Sequence, residues 1–132
     1  MFEIFSTVSE DNARNISPVT LAFLGDAVYS LYVRERLVLT TNFGTGNLQK
    51  LASQKVSAHG QSELLEKLLP TFSEEEAEIY RRGRNAKKAT KSKNASVAEY
   101  NRSTGFEALL GYLYLTGRYQ RIEQLLNFDY ED

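Results

Sequence analysis

The chain has 132 residues, with 16 Lys plus Arg against 17 Asp plus Glu, one His and no Cys. That length suits a single domain, 1–132, built round one core, and the lack of cysteine excludes disulfides and thiolate metal sites and favours a cytoplasmic location. A nearly neutral total gives no overall pull toward a polyanion, so charge has to be read locally. The opening MFEIFSTVSED lacks a basic segment followed by an apolar one, which speaks against a secretory signal. The run from Ile16 to Val33 is near the length of a membrane span, but it carries Pro, Gly, Asp, Ser, Thr and Tyr and reads as a buried helix. No membrane partner is expected.

Ser17-Pro18 opens that helix, with a hydroxyl at the cap and proline in the first turn. Leu21, Leu24, Val28 and Leu31 then recur at helical spacing, which predicts a helix to about Val38. After the loop TTNFGTGN, a second pattern runs through Leu48, Leu51, Lys55 and Val56. A third runs through Leu64, Leu65, Leu68 and Leu69, and Pro70 ends it. Ser73 with Glu76 fits a capping box, so a further helix carries Ala77 and Tyr80 until Gly83. A long helix covers roughly Val97 to Leu115, closed by Thr116-Gly117, and a short one holds Tyr119, Ile122, Leu125 and Leu126. No stretch alternates with period two. The expected fold is therefore an all-α domain of six or seven helices, without internal repeats.

Charge is unevenly placed. No acid lies between Glu78 and Glu99, while Arg81, Arg82, Arg84, Lys87, Lys88, Lys91 and Lys93 all fall there. RRGRNAKKATKSKN is too polar to pack and contains a glycine, which predicts an exposed connection between helices. It is either a solvated loop whose charges balance the preceding EEEAE, or a phosphate-contacting loop. The second predicts steep salt dependence: four contacts would give log K against log salt a slope of roughly −3 to −4.

Asp26 is the one charged residue between Ile16 and Val33. On a helical wheel Leu21, Leu24, Val28, Leu31 and Tyr32 share one side and Asp26 stands nearly opposite, flanked by Ala22, Phe23, Tyr29, Ser30 and Val33. A helix apolar or small all round is covered on both faces, which would leave Asp26 partly buried, and an ionised carboxylate there needs a compensating group. Three answers stand open: a structural hydrogen bond or ion pair, a neutral proton donor, or a ligand of a hard cation such as Mg²⁺. The last needs a second acid, and Glu107 in YNRSTGFEALLGYLYL is a candidate. It shares a face with Tyr100, Ser103, Thr104, Gly111 and Tyr114, away from the stripe of Phe106, Leu109, Leu110 and Leu113. Gly25 precedes Asp26, and Gly105 and Gly111 bracket Glu107. Each mid-helix glycine costs about 1 kcal/mol relative to alanine, so a packing reason is called for. Close approach of the two helices would supply it and bring the carboxylates together.

LAFLGDAV resembles the signature helix of the ribonuclease III family, commonly written ERLEFLGDAVL, and GFEALLGYLYL resembles that family's second acidic helix, FEALLGAIYL. The resemblance covers essentially the whole chain. VSAHGQSEL, RGRNAKK and an expected lack of a double-stranded-RNA-binding domain are similar to the short Mini-ribonuclease III branch. It implies a metal-dependent endoribonuclease with Asp26 and Glu107 as catalytic metal ligands and Mg²⁺, or Mn²⁺, as cofactor. It also implies a double-stranded RNA substrate cut to 5′ phosphate and 3′ hydroxyl ends, a role in maturing precursor 23S ribosomal RNA, and a homodimer. A ribosomal protein presenting the RNA is a further possible partner. Two family acids are missing: the glutamate of LEFLGD falls on Ala22, and the aspartate three residues before the second glutamate falls on Thr104. With no RNA-binding domain, Arg81 to Lys93 would have to supply part of the duplex contact.

Two rival functions remain at this level. One is a catalytically inactive ribonuclease III-like domain that binds structured or ribosomal RNA; the other is an all-α nucleotide hydrolase, which would want acid pairs at i and i+3 or i+4. His59, the one histidine, is read as an ordinary imidazole rather than a general base. The tyrosines and phenylalanines are read as core, with Tyr100 and Tyr114 the exceptions that share Glu107's face. The Phe23, Tyr29 and Val33 side of the first long helix is the expected subunit interface, unless another helix of the chain covers it.

Overall fold

The computed structural model of the protein describes residues 7–88 and 96–127. Among them are seven α-helices and no strand: α1 (Glu10–Arg14), α2 (Pro18–Thr40), α3 (Thr45–Val56), α4 (Ala58–Leu68), α5 (Glu74–Asn85), α6 (Val97–Leu115) and α7 (Tyr119–Leu126). A 3-10 turn, Leu69–Thr71, carries Pro70 between α4 and α5. The all-α reading holds, and the helix starts follow from local chemistry. Pro18 stands in the first turn of α2, while the Ser17 hydroxyl makes no capping bond. Ser73 and Glu76 form the reciprocal capping box that opens α5, and Ser96 with Glu99 repeats it at α6. Gly117, at φ 77°, ends α6 in the left-handed region that glycine tolerates best.

The core is organised on α6, whose Phe106, Ala108, Leu109, Leu110, Tyr112 and Leu113 are all fully buried. Helix α2 crosses it on one side and α5 on the other, with α4 packed alongside. The α2–α6 crossing is closer than side chains permit. A Cβ placed on Gly25 would fall 1.7 Å from the Glu107 carbonyl oxygen, and one on Gly111 would fall 2.1 Å from the Leu21 carbonyl oxygen. Close approach of these two helices is thus the reason for two of the three glycines singled out in the sequence. Gly105 faces elsewhere, against the Tyr80 carbonyl oxygen of α5.

Several expectations change. Helix α1, five residues capped by the Ser9 hydroxyl, is too short to show a hydrophobic period. Gly83 does not stop α5 but lies within it, where its missing side chain lets Gly105 and Ala108 of α6 approach. Arg81, Arg82 and Arg84 therefore stand on a helix and not in a loop. Lys87 and Lys88 follow its end, and Lys91 and Lys93 lie outside the described residues. Helix α2 is not covered all round either. Leu21, Ala22, Gly25, Val28, Tyr29 and Val33 form its buried face, whereas Leu31 is exposed and Phe23 is 83% exposed. Tyr29 and Val33 belong to the chain's own core, so of the expected interface face only Phe23 is free, with Val19 one turn away.

Candidate active site

The Gly25 contact fixes the site. Because α2 lies backbone to backbone on α6 at Glu107, the residue after Gly25 is brought beside the Glu107 side chain. Asp26 and Glu107 line one open cleft of about 380 Å³, together with Gln61 of α4 and Lys88 and Tyr100. The two acids differ in setting. Asp26 is exposed, a correction to the partly buried position expected from the wheel, because the Phe23 side of α2 is bare. Glu107 is the half-buried one, at the helix crossing.

Burial first, and then the neighbouring Asp26 through a hydrogen bond and its charge, push the Glu107 carboxyl up to about 8 against the opposing Gln61 N–H. None of these influences is a cation. Gln61 Nε2 donates to Glu107 Oε2 at 3.1 Å and to the Val56 carbonyl at 2.9 Å. Sequence reasoning missed this residue. Its signal was positional: Gln61 precedes Leu64, Leu65 and Leu68 at helical spacing and so occupies a core position.

The positions of the two missing family acids fall on the same cleft. Ala22 and Thr104, the positions that would carry them, both line it. The Thr104 hydroxyl donates to the Tyr100 carbonyl at 3.0 Å, an ordinary bond of a helical threonine. Among the described residues no group of three or more His, Cys, Asp or Glu side chains is placed to hold a metal ion, so Asp26 and Glu107 stand as a pair.

The basic residues separate into different roles. The Lys88 amine donates to the Gly83 and Arg84 carbonyls at 2.9 and 2.8 Å, capping the end of α5 at the edge of the cleft, and burial pulls its pKa below the ordinary lysine value. Arg82 turns away and donates to the Arg14 carbonyl of α1 at 3.2 Å. Arg84 lies 5.6 Å from the Tyr80 ring centre, and Arg81 and Lys87 are exposed. His59 is outside the cleft. It sits between Glu99 (2.6 Å from Nδ1) and Glu63 (3.1 Å from Nε2), and its pKa is raised, first by the hydrogen bond to Glu99 and then by the two carboxylate charges. Tyr114 packs edge-on against Tyr119 and leaves Tyr100 as the one tyrosine at the site. No helix among the described residues is long and apolar enough to cross a membrane.

Residues 19–118 match the model of the ribonuclease III domain family. The chain is 44% identical to the Mini-ribonuclease 3 of Thermoanaerobacter sp. (strain X514), over 90% of this chain and 84% of that one. It is 45% identical to the Mini-ribonuclease 3 of Symbiobacterium thermophilum, over 87% and 88%. A crystal structure of a protein from Fusobacterium nucleatum superposes with a TM-score of 0.80 at 31% identity, covering 90% of this chain and 95% of that one. With the two acidic helices crossing as the sequence motifs require, the chain belongs to the ribonuclease III family, in its Mini-ribonuclease 3 branch.

Proposed function

We propose that the protein is a divalent-metal-dependent endoribonuclease that cuts double-stranded RNA at the Asp26–Glu107 pair. Family membership carries ribonuclease action on RNA. The single observation behind the finer reading is a pair of adjacent carboxylates on an open cleft, one of them driven up to about 8 with no cation among the described residues acting on it. A hard divalent cation answers that arrangement, since Mg²⁺ is commonly held by one or two carboxylates plus water and substrate phosphate. Mn²⁺ would suit the same oxygens.

Asp26 and Glu107 would hold the ion. The chemistry such an ion would supply is activation of water and offsetting of charge at the phosphodiester. Asp26 would contribute its carboxylate from the exposed side of the cleft, and Glu107 from the helix crossing. Water adds to phosphorus, the P–O3′ bond breaks, and the products are a 5′ phosphate and a 3′ hydroxyl. No side chain serves as nucleophile. Lys88, whose amine is already at the cleft edge, and exposed Arg81, Arg84 and Lys87 would meet the phosphates of the duplex, which is read by shape and backbone contact. Exposed Phe23 and Val19 line the same cleft, which supports a homodimer whose interface borders each active site. The cellular reading is maturation of precursor 23S ribosomal RNA in the cytoplasm, with a ribosomal protein as a possible presenter.

A gel assay on a ribosomal RNA stem tests this reading with wild type, Asp26→Asn and Glu107→Gln. Wild type should cut with Mg²⁺ and not with EDTA, and both variants should bind without cutting. Binding without cutting by wild type itself would favour the inactive RNA-binding alternative.

A further inference from the structure

We infer that Gln61 is a positioning residue for Glu107, setting that carboxylate for the ion without neutralising it. The inference rests on the reading of Asp26 and Glu107 as metal ligands. Gln61 is 1% exposed and stands in the first turn of α4, where it lines the cleft beside Glu107. Its amide nitrogen has two N–H groups, and both are used, one on Glu107 Oε2 and one on the Val56 carbonyl. Both partners are acceptors, so the amide is fixed with its nitrogen toward them. Its own carbonyl oxygen is buried and accepts from no group among the described residues. A buried acceptor without a donor costs about 1–3 kcal/mol. A leucine of similar size would fill the space beside Leu64 and Leu65 without that cost, so the N–H groups are what the position retains.

The choice of a neutral donor matters. Lysine or arginine against Glu107 would cancel the charge that attracts an ion. A glutamine N–H occupies Oε2, restricts rotation of the carboxylate and leaves its negative charge intact. Carboxylate ligands are commonly held by such hydrogen bonds, whose loss typically costs about 10–100-fold in metal affinity or activity. The competing role is structural: the bond to Val56 caps the last turn of α3 and would tie α3 to α4 whatever the site did.

The test uses the full chain, free of RNA, with Mn²⁺ alone as probe. Mn²⁺ binding is followed by electron paramagnetic resonance for wild type, Gln61→Leu, Gln61→Met and Asp26→Asn, with helical circular dichroism in EDTA to establish folding. The inference predicts folded Gln61 variants that bind Mn²⁺ about tenfold or more weakly. Their kcat on duplex RNA should fall at low Mg²⁺ and recover at high Mg²⁺, with KM for RNA unchanged. A folded variant binding Mn²⁺ within twofold of wild type overturns it, and so does loss of the fold in both, which leaves only the structural role. Asp26→Asn binding Mn²⁺ as wild type does would instead overturn the underlying site.

Discussion

Gly25 of α2 and Glu107 of α6 meet backbone to backbone: a side-chain carbon on the glycine would lie 1.7 Å from the glutamate's carbonyl oxygen. No rotamer relieves a clash with a main-chain atom inside a helix. Gly25→Ala therefore has to push α2 away from α6, breaking the densest part of the core and separating Asp26 from Glu107. We expect about 3 kcal/mol or more of lost stability, at or beyond the upper end of usual overpacking costs, and loss of cleavage. Gly46, within α3, has nothing within 4 Å of the corresponding position. Gly46→Ala should stabilise by roughly 0.4–1 kcal/mol. Thermal or urea unfolding of the two variants checks both signs.

Glu107 carries the pH prediction. Its folded-state value of about 8 lies above the 4.5 of an unperturbed glutamate. The folded chain thus holds this proton more tightly than the unfolded chain does. That contribution is fully present below pH 4.5 and is lost as pH rises through about 8. Metal-free protein should be less stable at pH 8.5 than at pH 5 on this account, and Glu107→Gln should remove that loss, gaining on the order of 2–4 kcal/mol at pH 8.5. Added Mg²⁺ should raise the wild-type Tm more at pH 8.5 than at pH 5, because the ion needs the ionised carboxylate. Calorimetric scans at the two pH values, with and without Mg²⁺, read each effect.

The glycines also show what was legible in the sequence and what was not. The start of α2 at Pro18 and of α5 after Ser73 were readable because a first-turn proline and a capping box are local signals, as was the pairing of two lone acids beside glycines. A glycine signals a close neighbour but not which one. Gly105 therefore suggested α2 when it meets Tyr80 of α5, and Gly83 suggested a helix end when it lies inside α5. The wheel of α2 counted apolar residues and inferred cover on every side. It could not show that Phe23 stays bare within the chain, and so it placed Asp26 too deep. Gln61 was hidden because VSAHGQSEL looks polar; its core register appears only when it is aligned with Leu64, Leu65 and Leu68.

His59 tests the exclusion of a side-chain base. Its ring is exposed, held by Glu63 and Glu99, and outside the cleft. His59→Ala should leave the cleavage rate within about twofold of wild type, whereas removing a general base would cost about 10²–10⁴-fold. Single-turnover cleavage at saturating enzyme distinguishes the two.

Lys88→Ala and Arg82→Ala test whether phosphate contact is confined to the cleft side of the basic segment. Lys88 lines the cleft, while Arg82 is spent on the Arg14 carbonyl. Lys88→Ala should weaken duplex RNA binding and reduce the steepness of log K against log salt by about 0.7–0.9. Arg82→Ala should lower stability with the slope unchanged. Filter binding across a salt series, alongside thermal melts, measures both.

The most direct measurement is anomalous diffraction from a crystal of the protein grown with Mn²⁺. The account predicts a peak within ligand distance, about 2.1–2.3 Å, of carboxylate oxygens from both Asp26 and Glu107, with Gln61 still bonded to Glu107. A Mn²⁺ peak that touches neither carboxylate, or only one with the other turned away, would contradict it.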